Sequence, residues 1–473
     1  MMRALTLAMA ACLAGCSFQT PYVQPPLPVP ASWPRGDPYL SQSEADLPKV
    51  TYRDVFTDPR LLTLIEQSQA NNRTLRVALA NIRASRAQYR IQRAQLLPWI
   101  DLTGRYSRTG GKGSTATTPG TSSAPSGASY AADVGVTAYE IDLFGRIRSL
   151  TDAALNLYFA SEFAARSTRV ILIAAVANAW LTYASDASLL QIALDTVVSA
   201  EGAVRLNRAL LRGGVAPRTA VLQAETILAT AQADVALQRS LVAEDVNALQ
   251  LLLGSPVDPA LLPTSIEDAS KGLRTLPVGL PSTVLLRRPD VMQAEYQLRA
   301  ANAEVGAARA ALFPTISLTA ALGYASPALS SLFTSGAYSY SVAPSASYPI
   351  FRAGAGLAGV AYSRAQREAA LAAYEYSIQA AFRETANALA RQGTIADQLA
   401  AMQTEVTATR GVYGMTYALY RGGIDTFLAT LLAQQALYTA RRTQVATQFA
   451  AATNQVLIYQ SIGGETTEPA RAP

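Results

Sequence analysis

Arg93-Ala94-Gln95-Leu96-Leu97-Pro98-Trp99-Ile100-Asp101-Leu102-Thr103 returns 216 positions later as Arg309-Ala310-Ala311-Leu312-Phe313-Pro314-Thr315-Ile316-Ser317-Leu318-Thr319. A second pair has nearly the same spacing: Arg212-Gly213-Gly214-Val215 returns as Arg421-Gly422-Gly423-Ile424, 209 positions on. Two separate blocks at one offset indicate an internal repeat, one supersecondary unit used twice. The fall from 216 to 209 marks a shorter second copy. Phe144 and Phe351 are 207 apart, which puts most of the lost length between Pro98 and Phe144.

That segment reads as a hairpin. Ile100, Leu102 and Tyr106 alternate with Asp101, Thr103, Arg105 and Ser107. After a stretch rich in Gly, Ser and Thr (109–129), Val134, Val136 and Ala138 alternate with Asp133, Gly135 and Thr137. The second copy sets Ile316, Leu318, Ala320, Leu322 and Tyr324 on one face, then Tyr338, Tyr340 and Val342 against Ser339, Ser341 and Ser345. Strands of about ten residues with one apolar face and tyrosines near the ends suit a sheet that faces lipid on one side and water on the other. A hairpin packed on a soluble core gives the same alternation, so the pattern alone leaves both open.

Helical patterns flank the hairpins. Val221, Leu228, Val235, Val242 and Leu249 recur every seven residues, as do Leu190, Val197, Val204 and Leu211 with Ala193 and Ala200 between them. Sustained sevens predict coiled-coil-like packing. No proline interrupts residues 146–212, enough for one helix about 100 Å long at 1.5 Å per residue. Residues 364–421 form a second such run, with Leu399, Val406, Tyr413 and Tyr420 at sevens. Each run ends at a Gly-Gly turn, and shorter helices return over 217–253 and 426–459. Helices of this length predict an extended bundle or tube. Four strands are too few to close a barrel, since the smallest membrane barrels use about eight. A barrel therefore requires several chains.

Composition closes other routes. Half of the 473 residues are apolar and 15% charged, which excludes a wholly disordered chain. There is no histidine, so a His-based triad, zinc site or general base is excluded, and the two cysteines, Cys12 and Cys16, build no disulfide framework. Thirty-nine basic against 33 acidic residues give a net charge of +6, without a basic block that would suit nucleic acid. A stripe of Arg76, Arg83, Arg86, Arg90 and Arg93 on one helical face reads as a solvated face. Glu244-Asp245 point different ways on a helix, and no other acidic pair stands out as a candidate for catalysis.

The N-terminus reads as an export signal: Arg3, then an apolar run to Ala14, too short to span a bilayer. Leu13-Ala14-Gly15-Cys16 resembles a bacterial lipobox, which implies cleavage after residue 15, acylation of Cys16 and, with Ser17 next, sorting to the outer membrane. Prolines 21, 25, 26, 28, 30, 34 and 38 predict an extended strap behind it. Beyond the signal the longest apolar run, 170–180, is too short for a membrane helix, so any further entry into the bilayer must be as strands of a closed barrel.

These features together resemble the TolC-like outer membrane factors, in particular the lipid-anchored efflux branch called NodT-like. The most specific residues are Leu276-Pro-Val-Gly-Leu-Pro-Ser282, Leu285-Leu-Arg-Arg-Pro-Asp290, Ala294-Glu295, Phe313-Pro314 and Tyr139-Glu-Ile-Asp-Leu-Phe-Gly-Arg146. The Ser282 to Asp290 part reads as a helix junction and as scaffolding, with Ser282 able to cap a short helix and Pro289 and Asp290 suited to a first turn.

The resemblance implies a mainly α chain with β: a long coiled-coil α-barrel, and four strands per chain that form a 12-stranded transmembrane β-barrel in a homotrimer. It implies a signal peptide (1–15), a lipidated Pro-rich strap (16–55) and a first repeat (56–253, hairpin 99–142). A linker in the equatorial region (254–281), a second repeat (282–464, hairpin 315–350) and a flexible tail (465–473) follow. The implied role is a passive exit duct in the outer membrane for drugs or other small toxic compounds, reaching into the periplasm. A periplasmic adaptor (membrane fusion) protein and an inner-membrane pump of the resistance-nodulation-division (RND) type are the implied partners, beside outer membrane lipids. No nucleic acid, enzyme activity, metal or cofactor is implied apart from the lipid on Cys16.

Family likeness also places the periplasmic gate at Arg212, Gly213, Gly214, Arg421, Gly422, Gly423 and Asp425. Arg212 and Arg421 are expected either to bond neighbouring helices or to favour the helix C-terminal dipole, and Asp425 either to line the mouth or to cap the returning helix. Leu432 stands where the family usually has an acidic residue, and the end at Ile462-Gly463-Gly464-Glu465 lacks the usual third glycine and tryptophan. Two other readings use the same features: a lipid-anchored coiled-coil scaffold or adhesin without transport, and an exit duct for type I protein secretion.

Overall fold

The computed structural model describes residues 18–30, 32–34, 39, 51–109, 127–274 and 282–464. Its elements are α1 (Tyr52–Val55), α2 (Pro59–Asn71), α3 (Arg73–Ala94), β1 (Asp101–Thr109), β2 (Gly127–Glu140), α4 (Arg146–Arg212), α5 (Arg218–Leu253), α6 (Ile266–Ser270), α7 (Pro289–Ala310), β3 (Thr315–Ser326), β4 (Tyr338–Ser347), α8 (Ala355–Arg421) and α9 (Phe427–Ser461). The chain divides into two compact units, one containing 82–160 and 294–373 with the strap to residue 25, the other containing 26–81, 161–293 and 374–464.

In the first unit the two hairpins join into one antiparallel sheet of order β1-β2-β3-β4. Its register puts Leu102 opposite Val134, Val134 opposite Leu322 and Leu322 opposite Tyr340. Period two then gives one apolar face, with Tyr106, Tyr130, Tyr324 and Tyr338 grouped toward the loop end. The other face is hydroxyl-rich, and Ser317 and Ser345 bond across strands at 2.8 Å. One expectation is corrected. Ala138 does not continue the apolar row after Val134 and Val136, because a bulge between Val136 and Tyr139 adds a residue and turns Ala138 to φ 53°. Tyr139, opposite Leu318, takes the place instead.

The Tyr139 to Arg146 motif forms the corner from strand to helix. The Tyr139 hydroxyl donates to the Leu96 carbonyl at 2.8 Å, Glu140 pairs with Arg146, and Asp142 accepts from the Arg148 backbone N–H at the start of α4. The strap docks on the same unit. Phe18 stacks on Phe313 at 4.5 Å and Phe144 at 6.4 Å, Asn302 donates to the Thr20 carbonyl, and Arg299 lies 4.7 Å over the Tyr22 ring. Gly306 makes room for it: a Cβ there would sit 2.9 Å from Gln19.

α4 and α8 each run 67 residues. The second begins nine residues before the expected 364, because Ala353 and Gly354 (φ 47° and 82°) turn the chain and nothing after them breaks a helix. Gly356 is tolerated there since a Cβ would press on Leu312. Within the sevens of α4, the most buried line is Ala193, Ala200 and Asn207, all 0% exposed, while Leu211 is exposed. Small residues on that line let helices approach closely.

An 18-residue window of α4 is apolar enough to cross a membrane by length and composition. Its residues serve a core instead: Ile173, Val176, Ala177, Trp180 and Leu181 are at most 1% exposed. In that second unit the Trp180 indole N–H donates to the Leu261 carbonyl, Arg60 lies 5.6 Å over its ring, and Arg60 also pairs with Asp58 and Asp268. Ser282 opens a short 3-10 turn and Pro289 opens α7. Between them Arg288, 5% exposed, donates to Asp290, Glu384 and the Ser461 carbonyl, tying α7, α8 and α9 together. The scaffolding role expected for this block is what the geometry performs.

Gly323 approaches β2 so closely that a Cβ would collide with the Ala132 carbonyl oxygen, whereas Gly336 has open space around it. Gly323→Ala should force β2 and β3 apart, at a cost of about 1–3 kcal/mol. Heat-modifiable migration of the purified protein should show a less stable sheet for Gly323→Ala and an unchanged one for Gly336→Ala.

Candidate functional site

The two Gly-Gly turns share one backbone solution. At the end of α4 the Gly214 N–H donates to the Leu211 carbonyl at 3.0 Å and the Val215 N–H to the Leu210 carbonyl at 2.9 Å. At the end of α8 the Gly423 N–H donates to Tyr420 and the Ile424 N–H to Leu419, both at 3.0 Å. This pair of bonds is the Schellman motif, and it needs a left-handed residue, supplied by Gly214 (φ 70°) and Gly423 (φ 74°). Gly213 and Gly422 remain helical neighbours of that residue.

Side-chain chemistry then separates the turns. Thr426, not Asp425, caps α9, its hydroxyl accepting from the Ala429 N–H. The Asp425 carboxylate accepts from the Thr426 N–H at 2.6 Å inside the turn. Arg421 is exposed with its guanidinium 6.0 Å over the Tyr417 ring, on its own helix. Arg212 is exposed and forms no ion pair among the described residues. Leu432 is 57% exposed.

The bonds that cross between helices near the turns come from residues the sequence pattern did not single out for this role. The Tyr420 hydroxyl donates to Asn207 Oδ1 at 2.6 Å, and Asn207, fully buried, donates to the Ala203 carbonyl. Arg208 pairs with Glu225 at 2.6 Å. Tyr420 and Phe427 pack with Ala203, Val204, Ala220 and Ala224, so the ends of α4, α5, α8 and α9 meet in one apolar cluster. Farther along, Arg441 pairs with Asp195 at 3.5 Å and the Tyr438 hydroxyl donates to Asp234. Burial first, then the hydrogen bond to Asp234 and its charge, push the Tyr438 phenol up to about 12. Asn207 had one sequence signal: it follows Ala193 and Ala200 at sevens.

A second correction concerns acidic pairs. Asp186 on α4 and Asp245 on α5 come close enough for the Asp186 charge to act on Asp245. Burial, then the Asp186 charge, then Glu244, push Asp245 up to about 7, and burial also raises Asp186. Asp245 Oδ2 is buried without a hydrogen-bond partner. Fifty-nine positions separate the two residues, so no local pattern announces them. Among the described residues no group of three or more His, Cys, Asp or Glu could hold a metal ion. Cys16, residues 1–15, the tail 465–473 and most of the glycine-rich loop lie outside the described residues.

Residues 64–255 and 280–464 match the family described as outer membrane efflux protein. The chain belongs to that family. It is 42% identical over 463 residues to the probable efflux pump outer membrane protein TtgC of Pseudomonas putida, covering 97% of this chain and 95% of that one. It is 41% identical over 457 residues to the solvent efflux pump outer membrane protein SrpC of the same species, covering 96% of each. Among solved structures it is similar to the open state of the MtrE outer membrane channel of Neisseria gonorrhoeae, with TM-score 0.83 and 31% identity over 95% of this chain and 98% of that one. The TolC-like fold implied by the family resemblance, mainly helical with four strands, is therefore the fold of this outer-membrane efflux protein.

The acidic pair gives a pH signature. Asp245 has a folded-state pKa above its ordinary unfolded value of about 3.9, so between about pH 4 and 7 the folded protein holds the extra proton and loses stability as pH rises. Above pH 7 the loss is complete. Asp245→Asn removes this slope, so its melting temperature should exceed that of the wild type at pH 8 and the gap should close toward pH 5.

Proposed function

We propose that three copies of this outer-membrane efflux protein form one passive exit duct for small toxic compounds, opened by a periplasmic adaptor and fed by an inner-membrane RND-type pump. The observation that carries this reading is the four-stranded sheet, amphipathic across all strands, whose edge strands β1 and β4 each have a single partner. Backbone groups left unpaired in lipid cost several kcal/mol each. Three copies supply twelve strands, enough to close a barrel. The apolar face then meets lipid, and Asp101, Arg105 and Asp133, on the other face, meet water.

Relatives bear the names of solvent and antibiotic efflux pumps. That supports drugs or other small toxic compounds as cargo; in this proposal the pump, not a pocket in the duct, selects them. The reading includes no catalysis: energy comes from the inner-membrane partner. Cys16 carries the lipid in this proposal, and several acyl chains anchor stably because each buried CH₂ contributes about 0.8 kcal/mol. The mouth is assigned to the turns at Arg212-Gly213-Gly214 and Arg421-Gly422-Gly423, where threefold repetition of Asp425 would favour cations.

Purified protein in a planar bilayer should give discrete conductance steps; a scaffold or adhesin gives none, and that outcome would end the duct reading. Labelled palmitate should mark the wild type and leave Cys16→Ser unmarked. At the mouth, Asp425→Asn should weaken cation preference at unchanged stability. Thr426→Ala should lower stability by about 1 kcal/mol through loss of the cap, with ion preference unchanged.

A further inference from the structure

α3 carries six arginines, at positions 73, 76, 83, 86, 90 and 93, and no acidic residue. All six are exposed, and none forms an ion pair among the described residues. Val77, Leu79 and Ile91 on the same helix are 59, 48 and 57% exposed, and only Leu75 is buried. A helix with this much apolar surface and unpaired charge has an unfilled side.

α8 shows the complementary features. Glu368 is exposed and Glu375 half-buried, and neither forms an ion pair among the described residues. Leu357 and Tyr362 are 72 and 67% exposed, and Ile350 and Phe351, just before the helix, are 93 and 87% exposed.

The topology brings these faces together only between copies. α3 feeds edge strand β1 through residues 95–100, and edge strand β4 feeds α8 through residues 348–354. If β4 of one copy pairs with β1 of the next, the second copy's α3 must lie beside the first copy's α8. The chain enters the sheet along one helix and leaves it along the other, so the two run antiparallel.

Spacing then selects the contacts. Arg83 lies about 17 Å from the sheet end of α3 and Glu368 about 20 Å from that of α8; Arg76 and Glu375 lie at about 27 and 30 Å. Each pair is seven residues apart, two turns, and so faces one way.

We propose that Arg83 and Arg76 of one copy pair with Glu368 and Glu375 of its neighbour, an ion ladder that fixes the register between adjacent subunits. This rests on the three-copy reading above. Arg364, one turn nearer the sheet than Glu368, is level with Arg86. Sliding α8 one turn away from the sheet would bring Arg364 against Arg83, and that like-charge contact disfavours the shifted register.

The test uses two full-length chains with different tags, one Arg83→Cys and one Glu368→Cys, co-expressed and treated with a short bismaleimide, while native mass reports the number of copies. The expected result is trimers plus a covalent dimer bearing both tags, absent when either chain is expressed alone. Trimers without the mixed dimer would overturn the ladder and leave the three-copy reading standing. Monomers alone would overturn that reading and the ladder with it. Independently, Arg83→Glu or Glu368→Arg should reduce detergent-resistant trimer severalfold, and the double exchange should restore it. Failure of the double exchange to restore it would also overturn the pairing.

Discussion

The rest of this structure depends on an edge. The sheet β1-β2-β3-β4 is apolar on one face, and each of its outer strands has a strand partner on one side only among the described residues. In water such an edge is solvated; in hydrocarbon it must be paired, because nothing else there can accept or donate. From residue 315 to 351 the chain carries no charge at all; in β1 and β2 Asp101, Arg105 and Asp133 share the hydroxyl-rich face, and Arg108, on the apolar face, stands at the loop end of β1. A segment so built is suited to lipid and unsuited to standing alone. The bulge before Tyr139 and the tight approach at Gly323 add the twist and curvature that a closing sheet needs.

The helices answer a different constraint, length without a thick core. A 67-residue helix cannot bury a wide stripe against a single globular centre, so it uses narrow lines of small residues such as Ala193 and Ala200 where helices touch. Larger side chains are gathered where short elements supply a true interior, around Trp180, Phe56 and Tyr459. Arg288 belongs to that interior. Its burial is tolerable because Asp290, Glu384 and the Ser461 carbonyl take up its donors, and a buried cation is acceptable only when so satisfied.

Much of this was legible in the sequence because it is periodic. Sevens located the long helices, alternation located the strands, and the Gly-Gly pairs marked the reversals with little error in position. What periodicity cannot encode was missed. A bulge is a single-residue break in a period of two, invisible beside Val134 and Val136. Asp186 and Asp245 meet because α5 returns along α4, and of the two roles open to Asp425 the cap fell to Thr426 because cap choice depends on backbone angles one residue apart. Tyr420 was counted as apolar spacing, although its hydroxyl reaches Asn207.

That last contact bears on how such a duct can change its aperture. Within one copy, α4, α5, α8 and α9 meet at Tyr420, Phe427, Ala203, Val204, Ala220 and Ala224, and the Tyr420–Asn207 and Arg208–Glu225 bonds cross the same region. Close-packed clusters yield little and transmit displacement rather than absorbing it. The turns of the two repeats are therefore coupled: moving one strains the other through a fully buried asparagine. In a three-copy assembly the compliance is then left to the seams between copies. A partner docking outside the turns would thus act by parting neighbouring copies, each of whose ends moves as a piece, rather than by unwinding a single helix.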